Sequence, residues 1–427
     1  MPRIDEENTL LWDSIPPVPG LPEATAVSEP TPLIAAPKAP TTKRRMYYLD
    51  WLRVYLTIMV ICFHTAALLY SGWWPLNWNA PDWAPHIDLL KRLFTQFNQS
   101  YFMGLFFALA GYFCTPSFNR KGVLLYFKDR FLRLIVPLAI YESFFYPTLY
   151  LVASKGYHKS EKSPVELYRH FFTKYQFLTS HMWFVMLLFL FDVLYALVRL
   201  VIPPFNRFLK NKKPPKEDAR KIRFSNWTMM LYMVGASVLL ILLNFVIRIW
   251  FRPGKWVPAL GQMAYLGQYL LAYSFGNFLN LVNGIERIPR AFGLVCILPA
   301  LGSFAAYFVV DRLNPTNYDE YRLGASGLQL FYTSFEMIYS LCHSIFLLTF
   351  FREFLNITPN GLGKRIIGAT YATYVFHPWA VVPLAMWLIP TNIDLIAKFF
   401  IECFLAVPYA WILGMLVKMI PYADRIF

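Results

Sequence analysis

Asp50, Arg53 and His64 stand in a stretch that is otherwise suited to lipid. They belong to residues 46–70, MYYLDWLRVYLTIMVICFHTAALLY, and residues 54–70 are almost wholly apolar. As a helix rising ~1.5 Å per residue that run covers about 25 Å, close to the thickness of bilayer hydrocarbon. Asp50 and Arg53 are spaced i,i+3 and can pair on one face. Arg53 and His64 return to within ~20° of one azimuth at ~100° per residue, about 16 Å apart along the axis. One stripe therefore carries a guanidinium near one membrane face and an imidazole well inside. An ionisable group at that depth costs on the order of 2.5–3.5 kcal/mol or more, so it faces a polar interior and has a task. Anion binding by the arginine and proton removal by a histidine base are the chemistry this pair suits. The plainer alternative is a charge pair at the headgroups with a hydrogen-bonded structural histidine.

The elements that would hold these groups follow from composition. The 427 residues are 57% hydrophobic and only 15% charged, against about a quarter charged in a soluble chain. The mean hydropathy of +0.40 agrees with an all-α polytopic membrane protein. Apolar runs predict about ten transmembrane helices near 46–70, 94–115, 131–152, 182–202, 228–250, 259–281, 291–310, 328–351, 366–389 and 394–420. Residues 116–130 read as a basic loop and 153–180 as a polar one. Residues 1–45 hold nine of the 31 prolines and cannot bury a core, so they are expected to be a disordered cytoplasmic tail before a membrane domain over 46–427. No apolar signal core precedes the first helix, which is expected to act as its own insertion signal.

The net charge of +15 does not imply nucleic acid, because the basic residues cluster in loops between apolar runs, where orientation requires them. Lys43, Arg44 and Arg45 are expected to keep the N-terminus cytoplasmic, and ten helices would return the C-terminus to the same side, with loop 203–227 a cytoplasmic anchor. The five lysines and arginines of loop 153–180 run against that rule on the outer side. The four tryptophans Trp73, Trp74, Trp78 and Trp83 suit an interface. Five cysteines lie inside apolar segments without a CxxC pair and read as small core residues.

With the first helix running outward, Arg53 lies near the cytosol and His64 in the outer half. Arg130 and Arg133 open the third helix and add guanidinium groups suited to phosphate, although positive-inside flanking explains them equally. His181 lies at the outer end of the fourth helix beside Trp183. The seven histidines show no metal-ligand spacing, and nucleophile-elbow, HExxH, Walker and dinucleotide-loop patterns are absent. An anion site inside and a histidine toward the outside suit an enzyme that takes a phosphate-bearing acyl-CoA from the cytosol and acylates an acceptor hydroxyl beyond the membrane. Glu142, Glu336 and His343 read as buried polar network.

Five ordered blocks resemble the acyltransferase-3 superfamily, and the YYLDWLR opening is most similar to its glucan biosynthesis protein C-like branch. YYLDWLRVYLTIMVICFHTA resembles the first-helix Arg-x10-His signature, here Arg53 and His64. MGLFFALAGYF resembles the FFxxSG block, with Ala110 where Ser is common. YFKDRFLRLIVPL resembles the basic Arg-x-x-Arg segment, SHMWFVMLLFLFDVLY the His-x-Trp-Phe block, and YATYVFHPWAVVP the late "Tyr…His-x-Pro" helix, although Pro378 follows His377 directly. The resemblance spans about residues 46–420. It implies a membrane O-acyltransferase with a cytosolic acyl-CoA donor, such as acetyl-CoA or succinyl-CoA, and a glycan or small hydroxylated acceptor outside. Carried over, His64 is the base and Arg53 its companion. Arg130 and Arg133 lie on the donor side, and Asp50, His181, Trp183 and His377 line the pocket. The resemblance assigns no bound cofactor and no metal. Two other readings stand beside it: a secondary transporter using intramembrane Arg, His and Glu as a substrate or proton path, and a different membrane acyltransferase built around His343.

Overall fold

A computed structural model describes residues 45–71, 75–76, 85–175, 180–202, 223–313 and 325–427, with backbone alone at 71, 85–93 and 175. The proline-rich tail up to residue 44, the four interface tryptophans and most of the basic loop 203–227 lie outside the described residues. Residues 46–427 form one compact helical unit, and no sheet occurs among the described residues.

Helix α1 runs over Tyr47–Ser71. Helix α2, Pro85–Arg130, is longer than its apolar run suggests, and it absorbs the expected loop 116–130. The backbone stays helical to Gly122, where φ +72 and ψ 175 redirect it into a last helical segment. Glycine takes that left-handed turn at little cost. Lys121 and Arg133 both hold Asp129, at 2.7 and 3.3 Å, which ties that segment down. Helix α3, residues 131–156, contains π turns at Phe131–Ile135 and Tyr141–Phe145. The expected polar loop after it contains α4, Pro164–Tyr175. A capping box starts α4: Ser163 N–H donates to Glu166 Oε2 at 2.7 Å, and Glu166 N–H donates to Ser163 Oγ at 3.2 Å. These bonds hold the Glu166 carboxyl below the usual range.

Helix α5 covers Trp183–Val201 and α6 covers Asn226–Trp250. Helix α7, Leu266–Leu281, follows a 3-10 turn. Helix α8 is Arg290–Leu313, interrupted at Cys296. Helix α9 is Gly327–Phe354, α10 Gly361–Phe376, α11 Pro378–Leu388 and α12 Leu395–Met419. Side-chain caps from Ser225, Ser326, Asn360 and Asp394 begin α6, α9, α10 and α12.

Six of these helices, α1, α5, α6, α8, α9 and α12, are long and apolar enough to cross a membrane. The other expected spans fall short for separate reasons. Asn98, Gln99 and Ser100 dilute α2, π turns divide α3, α7 has 16 residues, and the expected span 366–389 is broken between α10 and α11. Among their polar groups, Asn98, Gln99, Ser100, Gln268, Asn277 and Thr373 are buried against the bundle.

Candidate active site

Pro378 explains how the late helix builds the site. Proline has no N–H, so the carbonyl of Tyr374, four residues earlier, loses its helical donor. His377 fills the gap: its Nδ1 lies 2.6 Å from Tyr374 O. One residue on, Val375 O is 2.9 Å from Nε2 of His181. A carbonyl can only accept, so both nitrogens carry protons. His377 therefore keeps a lone pair on Nε2, which is buried and has no hydrogen-bond partner among the described residues. His181 keeps its lone pair on Nδ1, 3.1 Å from Ser180 Oγ.

His64 completes a cluster of three imidazoles from separate parts of the chain. Ring centroids lie 4.9 Å apart for His64 and His377, 4.9 Å for His181 and His377, and 6.4 Å for His64 and His181. His181 and His377 are buried, whereas His64 is half-buried and opens into a cavity of about 430 Å³. His181, Trp183 and Tyr374 share its wall. So do Gln96, Gln99 and Gln262, with Trp256 and Tyr265. Gly261 lies against Trp183; with φ +72, and with the indole ring about 2.5 Å from where a Cβ would sit, the position requires glycine. The lining therefore combines aromatic faces with amides and imidazoles. His181 commits both nitrogens to Ser180 and a carbonyl, so the cluster does not present three free ligands to a metal.

Glu142 and Ser180 extend the site and were missed as partners by sequence reasoning. Ser180 N–H donates to Glu142 Oε1 at 3.1 Å, and Ser180 Oγ lies 3.2 Å from the same oxygen. The hydroxyl has one proton and two acceptors, the carboxylate and His181 Nδ1. Protonating His181 resolves that competition: Nδ1–H then donates to Oγ, and Oγ–H donates to Glu142. Glu142 sits in a π turn, a local widening that often marks functional sites. The adjacent Ser-His pair was the available sequence signal. Tyr374 OH also donates to His181 O at 2.6 Å and fixes the turn ahead of α5.

The arginines lie apart from the imidazoles. Arg53 is 3.5 Å from Asp50, with its guanidinium 4.7 Å from the Phe113 ring centre. It is not among the residues that line the cavity. Arg130 is committed to the buried Asp192 at 3.2 Å and stacks on Tyr126. Asp192 also accepts from Tyr126 and Tyr273 hydroxyls, at 2.8 and 2.6 Å. Arg133 is about half exposed beside Asp129. His343 stacks on Tyr339 at 5.1 Å and meets Tyr101 edge-on at 4.5 Å, away from the cluster.

These surroundings separate Arg130 from Arg133. Arg130→Ala strands a buried carboxylate, an expected loss of about 3–5 kcal/mol, visible as lower yield and thermal midpoint. Arg133→Ala is expected to leave the midpoint within about 0.5 kcal/mol of wild type. A detergent-solubilised thermal melt of both variants checks this ordering.

A family model described as "Acyltransferase domain" matches residues 46–415. Curated relatives named "Glucans biosynthesis protein C" from Salmonella schwarzengrund (strain CVM19633), Salmonella typhi and Salmonella typhimurium (strain LT2) are 25% identical over 194 residues. The match covers 45% of this chain and 47% of each relative, so the chain spans about half the length of these relatives. No solved structure gives a significant match. With the first helix, the His-Trp turn and the late Tyr-His helix all inside the matched range, the chain belongs to the acyltransferase-3 family and is a multi-pass helical membrane protein.

Proposed function

We propose that the protein is a membrane O-acyltransferase that moves an acyl group from cytosolic acyl-CoA to a hydroxyl of a glycan or other acceptor outside the membrane. The observation that supports this reading best is the meeting of His64, His181 and His377 at one cavity wall. His64 is the imidazole that an acceptor in the cavity can touch. It takes the hydroxyl proton as the oxygen attacks the thioester carbonyl, and the proton leaves with the CoA thiolate. His377 packs behind His64 and holds it in place, while His181, fixed by Ser180 and Val375, shapes the wall beside them. Arg53 and Arg133 hold phosphates of the donor at the opposite end of α1. The amide and aromatic lining suits an uncharged polyhydroxyl acceptor, whose hydroxyls both donate and accept.

Mass spectrometry of glycans and lipids from cells with and without the gene tests the reaction. The expected result is one acyl mass that disappears with the gene and returns with the wild-type protein. An unchanged acyl inventory, with substrate moved across vesicles lacking acyl-CoA, would establish the transporter reading instead.

A further inference from the structure

Helix α6 is among the most apolar of the long helices, yet only 6% of its apolar window is buried. Its far part, around Asn244 and Arg248, is buried against neighbours. Its near part, toward the end of the bundle where α1 begins, borders a wedge lined also by α2, α7 and α9. The wedge is an apolar groove of about 220 Å³. Tyr232 and Phe275 stand exposed at its mouth. Along α6 it runs from Met229 to Leu240, about 17 Å at ~1.5 Å per residue. One leaflet of a bilayer is about 15 Å of hydrocarbon deep.

Both ends of the groove are chemically marked. At its far end it meets Gln268 and Ser340, which bond one another at 2.6 Å. At the near end it is bounded by Phe224, whose N–H donates to Arg287 O at 3.0 Å. The Arg287 guanidinium lies 4.1 Å from the centre of the Phe224 ring. Arg223 and Arg290 are exposed at the same end. Among the described residues at this end, Glu286 accepts from Tyr48 OH at 2.9 Å, and Glu353 pairs with Arg352 at 2.7 Å. The groove is therefore basic at one end, apolar along its length and bordered by an amide and a hydroxyl at the other.

We propose that this groove is a binding site for one anionic glycerophospholipid of the near leaflet. One acyl chain fills the wedge as far as Gln268, and the phosphate lies on Arg287 with Arg223 and Arg290. Charge complementarity selects the headgroup, since each basic residue near the surface favours anionic lipid. The chain replaces the packing that α6 lacks and holds it against α7 and α9. The site is separate from the histidine cavity and does not depend on the proposed reaction.

The test uses the full-length protein in mild detergent, with phosphatidylglycerol or phosphatidylcholine added, read by native mass spectrometry and thermal unfolding. Wild type is expected to retain one lipid, to prefer phosphatidylglycerol, and to unfold at a higher temperature with it. Arg287→Gln with Arg290→Gln is expected to lower that preference about fivefold for each arginine removed. Ala236→Phe fills the wedge without touching a charge and is expected to weaken retention of both lipids; it decides the matter if the arginine variant does not fold. Equal binding of the two lipids by wild type would overturn the proposal. Displacement of the bound lipid by a long-chain acyl-CoA would also overturn it, by making the groove a site for the donor's chain.

Discussion

His64→Ala is expected to lower acyl transfer by about 100- to 10,000-fold, the usual contribution of a positioned general base. The geometry makes the effect specific to this imidazole. His64 is the member of the cluster that is half-open to the cavity, while His377 is fully buried behind it. An acceptor can reach the first and not the second. The bonds that hold His377 and His181 run to Tyr374, Val375 and Ser180 and do not pass through His64. The variant should therefore fold and run as wild type on size exclusion. The measurement is acylated product per unit of folded protein, with donor and acceptor both saturating. Transfer at more than a tenth of the wild-type rate would move the base elsewhere, with His181 next in reach. His377→Gln gives the contrast: it keeps a side chain of similar size and is expected to reduce transfer less, by disturbing the position of His64.

Much of this was readable from residue order because lipid enforces long apolar runs. The expected spans 182–202, 228–250 and 394–420 match Trp183–Val201, Asn226–Trp250 and Leu395–Met419 within two residues at each end. Elsewhere polar residues and glycines hid the helix. Residues 116–130 carry Pro116, Gly122 and many charges, and a charged segment next to a membrane run looks like a loop whether or not it is helical. The break at His377 was visible as a proline, but its consequence was not. A carbonyl freed by Pro378 acquires meaning only once His181, nearly two hundred positions away in sequence, is found beside the next carbonyl. The same holds for the cluster. His64, His181 and His377 were each marked by local motifs, and nothing local states that their rings lie 4.9 to 6.4 Å apart. Arg53 shows the limit of helical spacing. It does share a helix with His64, yet its own contacts, Asp50 and Phe113, lie along a different part of the bundle.

Glu336→Ala is expected to destabilise the fold by about 3–5 kcal/mol, because it leaves the Arg248 charge buried without a counter-ion. The pair is close, 2.6 Å between Arg248 Nη2 and Glu336 Oε2, and both side chains are under 5% exposed. Arg248 also donates to Thr333 Oγ1 at 3.2 Å and stacks on the Tyr265 ring, while Tyr265 OH donates to Glu336 at 3.4 Å. One charge pair thus fastens the far end of α6, the turn before α7 and the start of α9. Tyr265 is also part of the cavity wall. Its loosening is expected to raise the acceptor KM before the protein unfolds. The loss comes from leaving one charge behind, whichever partner is removed. Arg248→Met together with Glu336→Leu removes both charges and replaces them with apolar volume, so the double variant is expected to recover most of the lost stability. Thermal unfolding of wild type, both single variants and the double variant closes the cycle, and a coupling energy of at least ~1 kcal/mol is the expected reading. Additive losses across the cycle would show that the two side chains act independently and that α6 is held at its far end by packing instead.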